Sequence, residues 1–388
     1  MTIEYYNLKD LKPKGYPVRH KRKVPFSPNL RVPQDYSRRT RRIRELDFEL
    51  DRFILTAKDY QDIVIEAYSS NVHWSTKIEG NPLSEDEVRR ITRKTFTQGP
   101  EEKPSGPKQE ILNHLTHLLN PRVFRLPWTH DHVQTVHDYL LEGTGAKFTP
   151  STYRTSRTSV KDDKDMEIMV PCPPEHIMEE MSSLLDWVNG PGSALDSIVR
   201  ATLFFHEFES IHPFDDGNGR TGRCLFHLML QYSDLPNSNL CKIESHLLED
   251  SETYYQLLAY ADESGSYEEL IDLISQAILK SYEDTQKTFS EKDLLSSELD
   301  EATRRLLKMA KRHGDWFSIN DACAWVSNLG SHTVNKKLNK LEEIGALQMR
   351  GNTQSRRYRI RDPLEDVQAL LHGGIEKQGV DSNEPEGK

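Results

Sequence analysis

The stretch HPFDDGNGRTGR, His212–Arg223, decides how this sequence is interpreted. Gly217 and Gly219 flank Asn218 directly before an apolar-periodic segment that predicts a helix. A loop bounded by glycines lets main-chain N–H groups approach an anion closely, and the N-terminus of the following helix adds a favourable dipole. The pattern therefore indicates an anion-binding loop at the start of a helix.

The charged side chains of this stretch extend the argument to chemistry. Arg220 and Arg223 lie three residues apart, so both can face one chain of phosphates. Asp216 offers hard oxygen ligands of the kind that Mg²⁺ prefers. His212 precedes the loop, and an ordinary histidine pKa near ~6.5 suits a general base. Each feature alone also fits a turn between two helices, but their combination indicates phosphoryl or nucleotidyl transfer.

The same stretch resembles the signature HxFx(D/E)GNGRxxR of the Fic (filamentation induced by cAMP) family at every specified position. The resemblance implies a helical Fic fold and transfer of AMP from ATP to a Ser, Thr or Tyr hydroxyl of a protein. It assigns a role to each matching residue: His212 as the base, Asp216 as the Mg²⁺ ligand, Gly217, Asn218 and Gly219 as the anion hole, Arg220 and Arg223 as holders of the distal phosphates, and Phe214 as the anchor of the loop.

A second motif lies upstream, where Ser75–Gly80 (STKIEG) fits the family's inhibitory pattern (S/T)xxxE(G/N). The resemblance implies that Ser75, Glu79 and Gly80 form an inhibitory segment in which Glu79 pairs with Arg223. A carboxylate there would occupy a guanidinium that the γ-phosphate of ATP needs. The simpler interpretation is an ordinary helix end at Gly80.

Three further features have counterparts in the family. Residues 149–174 predict a β-hairpin in the position of the family's flap, which docks the target segment by strand pairing. Tyr254 and Tyr255 resemble a tyrosine pair near the adenine pocket, although helix packing explains them nearly as well. Asp262 is a candidate for contact with the edge of the adenine.

Charge is distributed unevenly over the 388 residues, whose net charge is −10. Residues 1–44 carry 13 Lys and Arg against 3 Asp and Glu, and residues 301–362 carry 13 against 6. Acidic residues dominate between them, which is typical of a modular chain. The predicted divisions are a basic irregular arm (1–44), a helical region with the inhibitory helix (45–120), the Fic catalytic core (121–285), a linker (286–300), a winged helix-turn-helix (301–362) and an acidic flexible tail (363–388).

The C-terminal division reads as three helices followed by a two-stranded wing, and it resembles winged helix-turn-helix modules. Its basic residues are consistent with phosphate contacts to DNA: Lys336, Lys337, Lys340, Arg350, Arg356 and Arg357. Protein contacts or dimerisation explain the module equally well, because no side chain identifies a base sequence.

We therefore expect a mainly α protein: a helical Fic fold with a small β-hairpin flap, followed by a winged-helix domain. The expected function is an autoinhibited protein adenylyltransferase that uses ATP and Mg²⁺ to modify a protein target or itself. Two alternatives stay open: removal of AMP at the same site, and a DNA-binding regulator that uses the site for automodification. We expect a cytoplasmic protein, because the four cysteines are scattered and the sequence shows neither an apolar run of membrane length nor a signal peptide. A homodimer is possible on the sequence alone.

Overall fold

The computed structural model describes residues 15–100, 104, 106–119, 126–161, 165–294, 299–352 and 355–361. The mainly helical prediction is confirmed. The helices are α1 Tyr36–Leu50, α2 Ala57–Lys77, α3 Glu85–Gln98, α4 Pro107–Leu119, α5 His130–Leu141, α6 Ile177–Asn189, α7 Ser197–Ile211, α8 Asn218–Gln231, α9 Ile243–Leu248, α10 Ser251–Ser264, α11 Glu268–Lys292, α12 Glu301–His313, α13 Ile319–Trp325 and α14 Ser331–Glu343. The strands are β1 Val18–Arg19, β2 Val160–Lys161, β3 Glu167–Val170, β4 Phe317–Ser318, β5 Leu347–Arg350 and β6 Arg357–Ile360.

Helices α7 and α8 pack against each other at the centre of the body. Nearly every residue of both helices is buried, which is typical of helices surrounded by protein on all sides. Asp196 caps the N-terminus of α7 by accepting a hydrogen bond from the main-chain N–H of Ile198. The helix ends at His212, whose φ of +52° turns the chain out of the helical path. The order helix, short loop, helix thus places residues 212–217 at one end of the core.

The N-terminal arm is more ordered than the sequence predicted. Helix α1 begins at Tyr36, inside the predicted irregular arm, because buried polar contacts rather than apolar spacing fix its first turn. The Tyr36 hydroxyl donates to Asp196 over 2.7 Å, and Arg39 Nη1 lies 2.6 Å from Asp272 Oδ1. An irregular arm over residues 1–44 is therefore wrong for its C-terminal part, while residues 1–14 lie outside the described residues.

The flap contains a strand that the sequence did not predict. Strands β2 and β3 form the expected antiparallel hairpin, with Val160 opposite Met169. Strand β1 of the arm pairs in parallel with the other edge of β3, with Val18 opposite Met169 and Arg19 opposite Val170. The strand order is β1-β3-β2, so β3 has a neighbour on both sides.

Helix α11 continues to Lys292 and so covers the first part of the predicted linker over 286–300. Phe289 is buried and lies edge-on against Phe53 and Tyr60, with ring centroids 6.0 and 6.2 Å away. This aromatic contact extends the buried face of the helix beyond the predicted end of the catalytic core at 285. None of the described helices has the combination of length and apolar character needed to cross a membrane.

The C-terminal module contains α12, β4, α13, α14, β5 and β6 in that order, with its own hydrophobic core. Its antiparallel sheet has the strand order β4-β6-β5. Ile54 from the loop between α1 and α2 belongs to this core and is only 3% exposed. Ala57 also donates a main-chain hydrogen bond of 3.1 Å to Gly345 O. The module is therefore anchored on the body, and the predicted tail over 363–388 lies outside the described residues.

We predict that Ile54→Ala lowers the free energy of unfolding by about 2–5 kcal/mol, since it leaves a cavity in the core of the C-terminal module. Urea denaturation followed by circular dichroism measures the change. Phe48→Ala is the control, because Phe48 is 67% exposed and its truncation should cost less than about 0.5 kcal/mol. Equal losses in the two variants would contradict the anchoring role of Ile54.

Candidate active site

The loop between α7 and α8 is held rigidly by buried contacts. Phe214 is 1% exposed and stacks on His137 with ring centroids 3.7 Å apart. The Asn218 side chain accepts a hydrogen bond of 2.9 Å from Phe214 N and donates one of 2.8 Å to Phe214 O. Phe214 thus occupies the anchoring position expected of it, whereas the Asn218 amide braces the loop and leaves only its main chain for an anion.

Arg154 connects this loop to the flap. Its Nε donates to His212 O over 2.7 Å and its Nη2 donates to Cys172 O over 2.5 Å. Its main-chain N–H donates to Pro213 O over 2.9 Å. Arg154 is 3% exposed, so these charge-assisted bonds lie away from water. Arg154 was predicted only as part of the flap, because no local pattern shows that a residue of this segment reaches a carbonyl 58 positions away.

The His212 imidazole is suited to accept a proton. Burial lowers its pKa to about 4, with the Arg154 guanidinium acting in the same direction and Glu79 opposing it. One ring nitrogen hydrogen-bonds to the main chain of Glu209. Because a carbonyl only accepts, this nitrogen carries the proton, and the other nitrogen of the neutral ring has a free lone pair. The ring is therefore neutral at pH 7 and has a lone pair free to accept a proton, although its lowered pKa makes it a weaker base than an ordinary imidazole.

The first turn of α8 lies against the carboxylate of Glu79. Gly217 has a φ of +77°, which only glycine adopts without strain, and the helix begins at the next residue. A Cβ atom at Gly219 would overlap with Glu79 Oε1, so this carboxylate lies directly against the turn. The N–H groups of a first turn lack helical acceptors and attract negative charge. Glu79 thus occupies space beside the predicted anion site.

Arg223 is the principal partner of Glu79. Its Nη2 donates to Glu79 Oε1 over 2.7 Å and to Ser75 O over 2.8 Å, while its Nε donates to Ser75 Oγ over 3.0 Å. Burial raises the pKa of Glu79, but the charge and hydrogen bond of Arg223 outweigh this and hold the pKa below its usual value. Gly80 follows with a φ of +92°, which allows the chain to turn away after Glu79. Ser75 and Glu79 therefore adjoin the predicted active site, and Gly80 lies at the turn that follows them.

Arg220 lies elsewhere than the resemblance implied. Its Nη1 donates to Glu110 Oε1 over 2.7 Å and its Nη2 donates to Asp216 Oδ1 over 2.6 Å. The side chain is 9% exposed and does not line the cleft that contains His212. Arg220 thus positions Asp216 instead of reaching for a distal phosphate in this conformation. Glu110 was missed because it lies on α4, 110 residues from its partner.

Asp216 has the properties expected of a Mg²⁺ ligand. Its Oδ1 accepts from Arg220 and, over 2.6 Å, from the main-chain N–H of Gly217. The side chain is 45% exposed, and its Oδ2 makes no hydrogen bond to the described residues. A fixed carboxylate with one oxygen directed away from its protein partners, beside a helix N-terminus, fits a hard cation that also binds phosphate oxygens.

His212, Gly219, Arg223 and Glu79 meet in a cleft of about 830 Å³, its open mouth included, whereas Asp216, Gly217 and Asn218 lie beside it and do not line it. Its lining combines residues of the motif, the inhibitory segment, the flap, helix α10 and the arm: Glu79, His212, Gly219, Arg223, Tyr254, Tyr255, Asp262, Val160, Met169, Tyr16 and Val18. Tyr254 is fully buried, whereas Tyr255 is 41% exposed. Asp262 is 4% exposed and accepts a 2.6 Å hydrogen bond from Ser210 Oγ.

Glu209 is a cleft residue that sequence analysis missed. Its Oε1 is buried and has no hydrogen-bond partner among the residues that the structure describes. Burial raises its pKa to about 8, Glu79 acts in the same direction, and Arg223 only partly offsets them. Glu209 is therefore mostly protonated at neutral pH. Its position three residues before His212, on the same face of one helix, was the available signal.

A model of the Fic/DOC family matches residues 127–230, which include the flap, the motif and most of α8. The chain contains a Fic domain. A Fic family protein from Desulfovibrio desulfuricans G20 has a similar fold, with a TM-score of 0.57 and 20% identity over 87% of this chain and 98% of that one.

Curated relatives of the Fic domain are named protein adenylyltransferases. Protein adenylyltransferase fic-1 of Caenorhabditis elegans is 28% identical over 178 residues, 44% of this chain and 33% of that protein. Protein adenylyltransferase Fic of Nematostella vectensis is 27% identical over 208 residues, 51% of this chain and 44% of that protein. The chain thus spans less than half the length of these relatives.

The environment of His212 predicts an unusual titration. Its ring should keep the NMR chemical shifts of a neutral imidazole down to about pH 5, because burial and Arg154 place its pKa at about 4. An ordinary histidine is half protonated near ~6.5. The spectrum of His212→Ala identifies the signal by its loss. A midpoint near that of an ordinary histidine would contradict the buried, neutral base.

Proposed function

We propose that this protein is an adenylyltransferase that transfers AMP from ATP to a Ser, Thr or Tyr hydroxyl of a protein. The observation that carries the proposal is the neutral His212 ring facing the same cleft as the first turn of α8 and Arg223. The names of the curated relatives support the same activity.

The residues of the cleft divide the reaction between them. The free nitrogen of His212 takes the proton of the target hydroxyl as its oxygen attacks the α-phosphorus. The bond between the α- and β-phosphates breaks, and pyrophosphate leaves. The N–H groups of the first turn of α8 stabilise the negative charge that develops on the phosphate oxygens. Asp216 would hold Mg²⁺, which neutralises phosphate charge when bound.

Inhibition follows from competition for one guanidinium. Arg223 already donates three hydrogen bonds to the inhibitory segment, and its charge is paired with Glu79. A distal phosphate of ATP would have to displace that carboxylate and would also meet its negative charge beside Gly219. ATP therefore binds weakly or unproductively while Glu79 stays in place.

We predict that Glu79→Gly raises AMP transfer about 10- to 100-fold. A hydrogen bond to a charged group contributes about 1.5–3 kcal/mol, and each 1.4 kcal/mol corresponds to a factor of ten. His212→Ala should abolish transfer in either background, because it removes the ring nitrogen that accepts the proton of the target hydroxyl. Incubation with ATP labelled at the α-phosphate, followed by gel autoradiography and intact-mass spectrometry, measures incorporation.

Glu142→Gln is the matched control, since Glu142 is an exposed carboxylate outside the cleft and its loss should leave the rate unchanged. Equal incorporation in wild type, Glu79→Gly and His212→Ala would remove both the base and the inhibitory contact from the mechanism. Release of AMP from a modified protein by wild type but not by Glu79→Gly would favour the alternative reaction, in which Glu79 positions water.

The flap constrains how a target can dock. A target strand that pairs with β3 meets β1 on one edge and β2 on the other. Docking of a protein target on residues 149–174 by strand pairing therefore requires β1 to leave its edge, or the target to pair along β2. We propose displacement of β1, because Val18 of that strand lines the cleft where the target hydroxyl must arrive.

We propose that the C-terminal module is a winged helix. DNA is then a second candidate partner of the protein, besides the protein target that is modified. The first turn of α14 is exposed, as are Lys336 and Lys340 on the same helix. Lys337 is instead engaged with Asp300 over 2.7 Å, and the Arg350 guanidinium lies 4.1 Å from the centre of the Trp316 ring. The free charges of α14 are thus placed for phosphate contacts.

A salt series tests this second proposal. Binding of duplex DNA, measured by gel shift, should weaken steeply with salt, and Lys336→Ala should reduce the slope by about one charge. Arg90→Ala, an exposed change on α3 of the body, should leave the slope unchanged. No binding at low salt would exclude DNA as the partner and leave protein contacts as the role of the module.

A further inference from the structure

A cluster of three potential metal ligands lies beneath the flap. His20 belongs to the arm, Cys172 follows β3, and Glu180 lies on α6. One ligand atom from each residue lies within 4.8 Å of the other two. The side chains of His20 and Glu180 are 2% and 1% exposed, and Cys172 is also buried. Three distant parts of the chain thus bring nitrogen, sulfur and oxygen donors to one dry position.

The hydrogen bonds of His20 fix its tautomer. Ser210 Oγ donates its only proton to Asp262 Oδ1 over 2.6 Å. Its 2.8 Å contact with His20 Nδ1 must therefore have the ring N–H as the donor. In the neutral ring, Nε2 then carries a lone pair directed away from Ser210. The Ser210 and Asp262 pair acts as an outer shell that orients the imidazole.

Two buried polar atoms then face each other at a distance too long for a hydrogen bond. His20 Nε2 lies 3.8 Å from Glu180 Oε1, and neither atom has a hydrogen-bond partner among the described residues. Burying such groups without compensation is costly. Arg22 Nε approaches Glu180 Oε1 only to 3.6 Å, and the Arg22 side chain is 49% exposed and paired with Glu179. A positive charge at the centre of the cluster would satisfy both atoms.

The thiol completes the donor set. Cys172 Sγ makes a 3.4 Å hydrogen bond to Pro173 O, so its S–H points toward that carbonyl and its lone pairs are left for the cluster. Cysteine, histidine and carboxylate together are typical ligands of zinc, with metal distances of about 2.3, 2.0 and 2.1 Å. Tetrahedral ligands at such distances lie about 3.3–3.6 Å apart, close to the spacing of His20 and Glu180.

We propose that His20, Cys172 and Glu180 bind one Zn²⁺ ion, with water in the fourth position. Binding releases the thiol proton of Cys172 to solvent. The resulting thiolate and the Glu180 carboxylate then balance the two positive charges of the metal. The site is separate from Asp216, which offers only oxygen ligands beside the anion-binding turn.

The ion would fasten the arm to the flap. Its ligands lie directly after β1, two residues after β3 and on α6. Val18 of β1 and Met169 of β3 both line the cleft. Zinc would therefore hold two walls of the cleft together and oppose the displacement of β1 that docking of a target on β3 requires.

Zinc binding by the full-length protein tests the site directly. After treatment with a chelator and dialysis, calorimetric titration with ZnCl₂ and elemental analysis should show one zinc per chain. Cobalt substitution should give the thiolate-to-metal charge-transfer band that a cysteine ligand produces. Cys172→Ser should remove this band and weaken zinc binding at least a hundredfold, and His20→Gln should weaken it similarly.

Two further variants keep the test decisive. Cys323→Ser lies in the C-terminal module and should bind zinc as wild type does. Ser210→Ala keeps all three ligands but loses the hydrogen bond that orients His20, so it should weaken binding about tenfold. Absence of stoichiometric zinc, or binding that is unchanged in folded Cys172→Ser, would overturn the proposal and leave a protonated His20 paired with Glu180.

Discussion

The functional part of this protein depends on a backbone constraint, the reversal between α7 and α8. His212 ends the first helix in a left-handed conformation, and Gly217 starts the second in the same way. Phe214 fills the core between them, and the side chains of Asn218 and Arg154 satisfy the main chain of the loop. An imidazole and a set of free N–H groups are thereby presented to one cleft. Their geometry is fixed before any ligand arrives, which is what preorganised stabilisation of charge requires.

The electrostatics of the cleft depend on which carboxyl groups pair with its few positively charged side chains. Arg223 pairs with Glu79, whereas burial in the same cleft raises the pKa of Glu209 to about 8, so that Glu209 is mostly protonated. The two carboxyl groups therefore have different charges because one of them holds the guanidinium. Glu79 follows the C-terminal end of α2, where a negative charge is unfavourable, and its contacts with Arg223 and the start of α8 compensate. The proposed inhibition and the stability of this segment thus depend on one ion pair.

The segments at either end of the described chain belong to the same structure as the catalytic body. The arm contributes β1 to the flap and Tyr16 and Val18 to the cleft, and Lys23 of the arm pairs with the buried Glu207 over 2.5 Å. The C-terminal module takes Ile54 of the body into its core. Both contacts join residues far apart in sequence, so each segment is held on the body by packed side chains.

The sequence by itself determined the local features of the site. Two glycines around Asn218, an apolar helix on each side and the spacing from Ser75 to Glu79 are short-range patterns, and each corresponds to a local conformation. Only the tertiary structure decided which distant residues contact one another. Arg220 turns to Glu110, Arg154 clamps the loop, β1 joins the flap, and His20 meets Cys172 and Glu180. These contacts join segments that share no sequence periodicity. The residues next to a charged side chain in sequence do not indicate which distant carboxylate or carbonyl it will contact once the chain has folded.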